Sequence, residues 1–247
     1  MTNKLSLITG ASNGIGRAIA IDLAKNGYDI IATFNKDKKS ALSLKKEINK
    51  LGMSCELLKI NFSKINQINQ LEKIVKKYKK LDVLVNNAGY LNQMPFKKIN
   101  FSEWEKTINI NFSSIFFLIQ TLSKYIEKSH NGSIINISSI GGQTGGTKAP
   151  HYAAAKLAVI SLTKSFANIL AAQKIRVNAI SPGVIETKLV RKFIKKEGRN
   201  NIEAKIPLGK IGNVLDISNS VVFLASEKSR YITGQIININ GGLYSGW

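Results

Sequence analysis

The sequence predicts an α/β protein in which a parallel sheet of about seven strands carries helices on both faces. The first observation is that short β-rich runs alternate with amphipathic stretches along the chain, which is typical of parallel strands joined by crossover helices. The second is that strand runs such as Val83-Leu-Val85 are apolar at successive positions, as expected for strands covered on both faces. The third is a glycine-rich turn directly after the first strand run.

The elements follow from these patterns in chain order. Strands are predicted at residues 5–9, 29–33, 55–60, 83–86, 133–138, 176–181 and 235–239. Helices are predicted at residues 14–26, 38–51, 65–78, 101–127, 152–173 and 214–226. No linker rich in proline or serine divides the chain, which predicts one domain over residues 1–247. Residues 187–208 are irregular in pattern and highly charged, and we expect them to form a mobile substrate lid.

Composition excludes several classes of protein. Cys55 is the only cysteine, which excludes an internal disulfide or a multi-cysteine zinc site and suits a reducing cytoplasm. His130 and His151 are the only histidines and neither has an acidic cluster beside it, so no metal site is predicted. No apolar run approaches the roughly 20 residues of a membrane helix, and the start shows no signal-peptide pattern. We therefore expect a cytoplasmic protein without a membrane partner. The apolar Trp247 is expected to pack against another subunit.

The net charge of +21 allows two interpretations. One is an anionic partner, such as nucleic acid, an acidic carrier protein or a membrane surface. The other is a compositional bias toward lysine, asparagine and isoleucine. The lysines are spread through helical segments at solvent-facing spacing, which favours the second interpretation. No specific nucleic-acid partner is predicted.

The glycine-rich turn reads Thr9-Gly-Ala-Ser-Asn-Gly-Ile-Gly16 and lies between a strand and a helix. Glycines let the backbone approach a pyrophosphate closely, and the helix that follows presents free N–H groups and a positive dipole end to the phosphates. A tight strand-to-helix connection would use the same residues. In a doubly wound, Rossmann-type sheet, however, this turn predicts a dinucleotide site. The candidate residues here are Gly10, Ser12, Asn13, Gly14, Ile15 and Gly16.

The end of the second strand bears on the choice of cofactor. An acidic residue near this point holds the adenosine ribose of NAD in such sheets. Here the sequence reads Phe34-Asn35-Lys36, and Lys36 is placed to reach the 2′-phosphate of NADP. This predicts a preference for NADPH. Asp37 follows directly, and a rearranged loop would bring it to the ribose, so NAD stays possible. The turn Asn87-Ala88-Gly89 is a further candidate for close passage of the cofactor.

A second constellation predicts the chemistry. Tyr152 and Lys156 lie one turn apart on a predicted helix and share a face, and Ser139 directly follows the strand at 133–138. A free tyrosine has a pKa of about 10, and a nearby ammonium favours its phenolate form. We therefore expect Lys156 to lower the pKa of Tyr152, which would act as the acid–base group. Ser139 would donate a hydrogen bond to the substrate oxygen.

These motifs together resemble the short-chain dehydrogenase/reductase family over nearly the whole chain. The resemblance implies a catalytic trio of Ser139, Tyr152 and Lys156, with Tyr152 and Lys156 also binding the cofactor, and Asn111 holding a water that leads protons toward the lysine. It also implies that the Ile185 backbone and Thr187 contact the nicotinamide carboxamide. Asn61 replaces the family's usual aspartate after the third strand, and its amide oxygen can still accept from the adenine amino group. The further cofactor-binding residues that it implies are Phe62, Pro182 and Gly183.

Within the family, phrases such as Tyr152-Ala-Ala-Ala-Lys156 and Ile206-Pro-Leu-Gly-Lys-Ile-Gly212 resemble 3-oxoacyl-[acyl-carrier-protein] reductases. This implies reduction of a 3-oxoacyl thioester, a possible acyl carrier protein partner and a homotetramer. There are departures from the pattern. His130 and Gln173 occupy places where the family often has carrier-binding arginines, although Lys128 and Lys174 are close by. Asn13 replaces a basic residue common in NADPH users.

Two rival functions remain open from the sequence. The first is an NAD-dependent dehydrogenase for a sugar, polyol or other secondary alcohol, which would use the same residues in the opposite direction. The second is a binding or regulatory protein that keeps the fold and uses its positive charge on nucleic acid, since a fold alone does not determine activity.

Overall fold

The computed structural model describes residues 4–188 and 190–246 of the chain. Trp247, which was expected to pack against another subunit, lies outside the described residues. Seven parallel strands form one sheet in the order β3-β2-β1-β4-β5-β6-β7. The strands are β1 Lys4–Ile8, β2 Tyr28–Phe34, β3 Cys55–Lys59, β4 Val83–Asn86, β5 Ser133–Ile137, β6 Arg176–Pro182 and β7 Ile236–Ile239. The predicted doubly wound fold is confirmed.

Helices connect these strands. They are α1 Gly14–Lys25, α2 Lys38–Lys50, α3 Ile68–Tyr78, α4 Phe101–Ile108, α5 Ser114–Ile126, α6 Ile140–Thr144, α7 Pro150–Ile169, α8 Arg191–Glu197, α9 Arg199–Glu203 and α10 Val214–Ala225. Two expectations were wrong in detail. The helix predicted at 101–127 is interrupted by a π-helical turn, Asn109–Ser113, and the segment predicted to be irregular at 187–208 contains α8 and α9.

Two apolar layers cover the sheet. Helices α3, α5 and α7 pack on one face and α1, α2 and α10 pack on the other. Neighbouring strand residues point to opposite faces, so Leu7 lies in the first layer and Ile8 in the second. Both side chains are fully buried, and burial of a side chain of this size contributes about 1.5–3 kcal/mol. The strand segments are apolar at successive positions in the sequence because both faces of the sheet are covered by helices.

A third, smaller cluster lies beneath α8 and α9. Ile202, Ile206 and Ile211 form its buried part, and Phe193 and Leu243 pack against it. The segment at 187–208 is therefore anchored to the body of the protein by its own apolar contacts. Across the described ranges, none of the helices combines the length and the apolar character that crossing a membrane requires.

The strand order positions the site. Successive strands run outward from β1 in one direction to β3, and the chain then returns to β4 on the other side of β1. The loops that leave β1 and β4 diverge at this point, which opens a crevice at the carboxyl edge of the sheet. Both the glycine-rich turn after β1 and the residues that follow β5 lie at this edge.

Candidate active site

Strand β5 and helix α7 bring the three predicted catalytic residues together. Ser139 follows β5 and is the N-cap of α6, where its hydroxyl accepts a hydrogen bond of 3.1 Å from the Gly141 N–H. Helix α7 begins with Pro150, whose fixed φ suits a first helical position. Tyr152 lies in the first turn of α7 and its side chain is hydrogen-bonded to Ser139. Ser139 and Tyr152 are thus adjacent at the carboxyl edge.

The pKa of Tyr152 is raised rather than lowered. Burial is the larger cause because it disfavours the phenolate, and the hydrogen bond with Ser139 acts in the opposite direction. The Lys156 ammonium lies 5.8 Å from the centroid of the Tyr152 ring and does not offset the burial. The expectation that Lys156 depresses the pKa of Tyr152 is therefore wrong for this arrangement of side chains. Tyr152 is a neutral phenol at physiological pH and can donate a proton.

Lys156 is buried inside the protein, and two contacts fix it. Its Nζ donates a hydrogen bond of 2.7 Å to the Ile137 carbonyl at the end of β5. The hydroxyl of Ser138 donates one of 2.7 Å to the Lys156 carbonyl. Burial lowers the pKa of Lys156 to about 8, because the charged form loses hydration. Lys156 is mostly cationic at neutral pH, but its protonation changes within the physiological range.

Asn111 lies in the π-helical turn between α4 and α5 and is fully buried. Its Nδ2 donates to the carbonyls of Tyr90, at 2.8 Å, and Thr107, at 2.9 Å. Its Oδ1 accepts from the Tyr90 N–H at 3.1 Å. The side chain therefore attaches the loop after β4 to the helix, and both amide hydrogens are used. The predicted role in holding a water draws no support from these side-chain contacts.

The glycine-rich turn has the shape that a dinucleotide needs. A Cβ at Gly16 would lie 2.5 Å from the Gly10 carbonyl oxygen, so only glycine allows α1 to begin this close to the turn. Asn13, the N-cap of α1, makes no side-chain cap, so its amide does not fill the end of the helix. The first N–H groups of a helix are an anion site when no side chain covers them. The turn thus fits a pyrophosphate.

Asn87 and Thr9 join the glycine-rich turn to the end of β4. Asn87 Nδ2 donates to the Thr9 carbonyl at 2.9 Å and to the Gly10 carbonyl at 3.2 Å. In return, the Thr9 hydroxyl accepts from the backbone N–H groups of Asn87 and Ala88, both at 2.9 Å. These bonds hold the two loops that border the crevice at a fixed separation.

Asn13 reaches the second strand instead of capping its own helix. Its Nδ2 donates to Asp37 Oδ2 at 3.0 Å. Asp37 is the N-cap of α2 and accepts from the Ser40 N–H and hydroxyl at 3.0 and 2.7 Å. These hydrogen bonds, led by the one from the Ser40 N–H, lower the pKa of Asp37 to about 2. The crevice therefore carries a permanent negative charge beside the exposed Asn35 and Lys36.

The remaining predicted cofactor residues divide into two groups. The Asn61 oxygen already accepts from the Ser63 N–H and hydroxyl, at 3.1 and 2.9 Å, in a side-chain turn, so the predicted adenine contact would need these bonds to exchange. In contrast, the segment after β6 faces the glycine-rich turn. The methyl carbon of Thr187 lies 3.3 Å from the position of a Cβ on Gly14, and Ile185 forms a bridge with Gly212.

Sequence reasoning missed three positioning residues. Ser138 joins β5 to α7 as described above. Thr33 holds the glycine-rich turn by accepting a 3.0 Å hydrogen bond from the Gly10 N–H. Gly142 lets α6 pack against α7, because a Cβ there would lie 2.7 Å from the Lys156 carbonyl carbon. Ser138 directly precedes Ser139, which is a usable sequence signal, whereas nothing local marks Thr33 or Gly142.

Comparisons with known proteins identify the family of the chain. A family model described as enoyl-(acyl carrier protein) reductase matches residues 10–244. The 3-oxoacyl-[acyl-carrier-protein] reductase FabG of Thermotoga maritima is 39% identical over 244 residues, which cover 98% of each chain.

Solved structures have the same fold. A blue fluorescent protein from a metagenomic library, in complex with NADPH, has a TM-score of 0.91 and 31% identity over 98% of each chain. The acetoin dehydrogenase YohF of Salmonella typhimurium has a TM-score of 0.88 and 32% identity over 97% of each chain. The chain therefore belongs to the short-chain dehydrogenase/reductase family and is an NAD(P)H-dependent oxidoreductase.

Proposed function

We propose that this protein reduces a 3-oxoacyl thioester to the 3-hydroxyacyl thioester, with NADPH as its preferred cofactor. The observation that carries the proposal is the hydrogen bond between Ser139 and a protonated Tyr152 at the carboxyl edge of the sheet. FabG of Thermotoga maritima is 39% identical to this chain over 98% of both chains, and this similarity supports the substrate class. Bound NADPH would supply the hydride, and the residues of the chain supply the proton and the orientation.

Tyr152 provides the proton in this proposal. Its raised pKa keeps the hydroxyl protonated, as reduction of a ketone requires, and the proton moves from its oxygen to the carbonyl oxygen of the substrate. Ser139 donates a second hydrogen bond to that oxygen and stabilises the charge that develops there. The Lys156 ammonium favours the phenolate that remains after the proton has been transferred. Its hydrogen bond to the Ile137 carbonyl holds the ammonium at the end of β5.

NADPH is proposed over NADH because of the charges near the end of β2. Lys36 is exposed and available for a 2′-phosphate. The NADPH complex of the blue fluorescent protein at 31% identity supports the same preference. Asp37 opposes it, since an ionised carboxylate repels a phosphate. The carboxylate is already held by Asn13 and Ser40, and Lys188 Nζ lies 4.0 Å from it, which reduces this repulsion.

The partners follow from the same proposal. We propose an acyl-carrier-bound substrate, a cytoplasmic location, and a single domain over residues 1–247 with a lid at 187–208.

We further propose a homotetramer built through α5 and α7. Phe117, Leu157 and Ile169 on these helices are 39%, 51% and 61% exposed, and burial of such side chains against a second copy favours assembly. Sedimentation equilibrium would test the assembly, and a monomer at micromolar concentration would contradict it.

Steady-state kinetics with defined substrates test the activity. Purified protein and NADPH are mixed with a 3-oxoacyl thioester, a 2-enoyl thioester or a small ketone, and the oxidation of NADPH is followed. Sugars and polyols are tested with NAD in the opposite direction. We expect the largest kcat/KM for the 3-oxoacyl thioester. A larger value for a sugar or polyol with NAD would replace this proposal with the alcohol-dehydrogenase alternative.

A further inference from the structure

Lys148 joins three segments of the chain through its own contacts. The loop that follows β4, the loop between α6 and α7, and helix α8 of the segment at 187–208 meet near Lys148. Lys148 lies in the second of these segments, between Ser139 and Tyr152 in the sequence. The loop that contains Lys148 connects Ser139, the N-cap of α6, to Tyr152 in the first turn of α7.

The backbone of Lys148 holds the first segment. The Met94 N–H donates a hydrogen bond of 3.0 Å to the Lys148 carbonyl. The same loop is attached at its other end, where Tyr90 is bound by Asn111. The loop after β4 is thus held at Tyr90 and again at Met94.

The side chain of Lys148 holds the third segment. Its Nζ lies 2.5 Å from Glu197 Oε1, at the end of α8. It also lies 5.5 Å from the ring centroid of Phe193, one turn earlier on that helix. Phe193 in turn packs on the apolar cluster of Ile202, Ile206 and Ile211. Lys148 is therefore connected, through Phe193 of α8, to the apolar cluster that anchors the segment at 187–208.

Glu197 is one of the few acidic residues in a strongly basic segment. Residues 187–208 contain seven lysines and arginines but only two acidic residues, Glu197 and Glu203. Glu203 pairs with Arg199 at 3.2 Å within the segment. Glu197 pairs instead with Lys148, in the loop between α6 and α7. The lysines and arginines of this segment would repel Lys148, and the Glu197 carboxylate converts that contact into an attraction.

We propose that Lys148 is a positioning residue that joins the loop after β4 to helix α8 and so determines how tightly the mouth of the substrate site is held. This inference rests on the proposed function for its kinetic consequence. The pair is partly exposed, and such a pair biases an equilibrium modestly without fixing it. The lid can therefore open to admit a substrate and then close on it.

The test compares Lys148→Met and Glu197→Gln with Lys195→Met, a control that removes an exposed charge from the same helix. We expect KM for acetoacetyl-coenzyme A to rise about two- to five-fold in the first two variants, with kcat and the NADPH Kd unchanged. The control should match wild type. The exchanged pair, Lys148→Glu with Glu197→Lys, should restore KM. Unchanged KM in both single variants, or no recovery in the exchanged pair, would overturn the proposal.

Hydrogen exchange gives a readout that does not depend on turnover. We expect faster amide exchange at residues 190–206 in Lys148→Met and Glu197→Gln than in wild type or the control, because the open state gains population. Equal exchange in all four proteins would overturn the proposal. If wild-type protein fails to reduce any thioester, the proposed function fails, while this comparison still decides whether Lys148 holds the lid.

Discussion

The Lys156 ammonium donates a 2.7 Å hydrogen bond to the Ile137 carbonyl, which joins α7 directly to the end of β5. The bond has two consequences. It aims a buried cation at the edge of the sheet where Tyr152 lies, and it partly compensates that cation for its lost hydration. The site is therefore held by the sheet and not only by the helix that carries Tyr152 and Lys156.

Replacing Tyr152 with phenylalanine removes the proposed proton donor. We expect kcat to fall by a factor of about 10²–10⁴, the contribution typical of a positioned acid–base group, while NADPH binds nearly as before. Tyr78→Phe is the matched control, since its hydroxyl bonds to Glu56 on the edge strand β3. Stopped-flow kinetics and cofactor fluorescence measure the two effects. A Tyr152→Phe variant with wild-type turnover would contradict the assignment.

Ser139 is proposed to stabilise charge on the substrate oxygen. Ser139→Ala should lower kcat by about 100-fold, as expected for loss of one such donor. Ser139→Thr retains a hydroxyl and should recover part of the rate. If alanine and threonine reduce kcat equally, the hydroxyl of Ser139 does not take part in the reaction.

The pH dependence of reduction should reflect Lys156. Its pKa of about 8 means that the ammonium is present below this value and is lost as the pH rises through it. Because Tyr152 stays protonated well above this range, kcat/KM for reduction should decline near pH 8. Lys156→Arg keeps its charge and should remove this decline, although at a lower rate. A wild-type kcat/KM that stays constant up to about pH 9.5 would refute the assignment of this decline to Lys156.

Lys156 also costs stability at neutral pH. Its pKa is lowered in the folded protein from 10.5 to about 8, so the unfolded chain binds more protons between these values. The free energy of unfolding should therefore rise as the pH increases through this window. Lys156→Met removes the buried charge and should raise the free energy of unfolding by about 1–3 kcal/mol at pH 7. Loss of the hydrogen bond to the Ile137 carbonyl reduces this gain. Urea unfolding at pH 7 and 10 measures this, and destabilisation at pH 7 would contradict it.

Cofactor choice should respond to Asp37 and Lys36 in opposite directions. Asp37→Ser keeps a capping side chain for α2 but removes a carboxylate that is ionised at all working pH values. We expect it to strengthen NADPH binding about five-fold, and Lys36→Ala to weaken NADPH binding by a similar factor. Binding of NADH, which has no 2′-phosphate, serves as the control. Parallel changes in both cofactors would mean that these residues do not sense the phosphate.

The sequence predicted the sheet and the shared helix face of Tyr152 and Lys156 because both depend on local pattern. Strand runs such as Val83-Leu-Val85 report two-sided burial, and Tyr152 and Lys156 share a helix face at any tertiary arrangement. The break of the helix at 101–127 was not predictable, since the π-helical turn arises where the buried Asn111 bonds to Tyr90 in another loop. The helices within 187–208 were missed because the apolar cluster that stabilises them combines Ile202 and Ile206 with Ile211 and Leu243, which lie outside the segment.

The sequence by itself determined the succession of the seven strands, the glycine-rich turn and the residues available for proton transfer. The tertiary structure alone decided the ionisation of Tyr152 and Lys156, because desolvation depends on what packs around a group and not on its neighbours in the chain. It also decided that Asn13 binds Asp37 and that Lys148 binds Glu197, since the two members of each pair lie far apart in sequence.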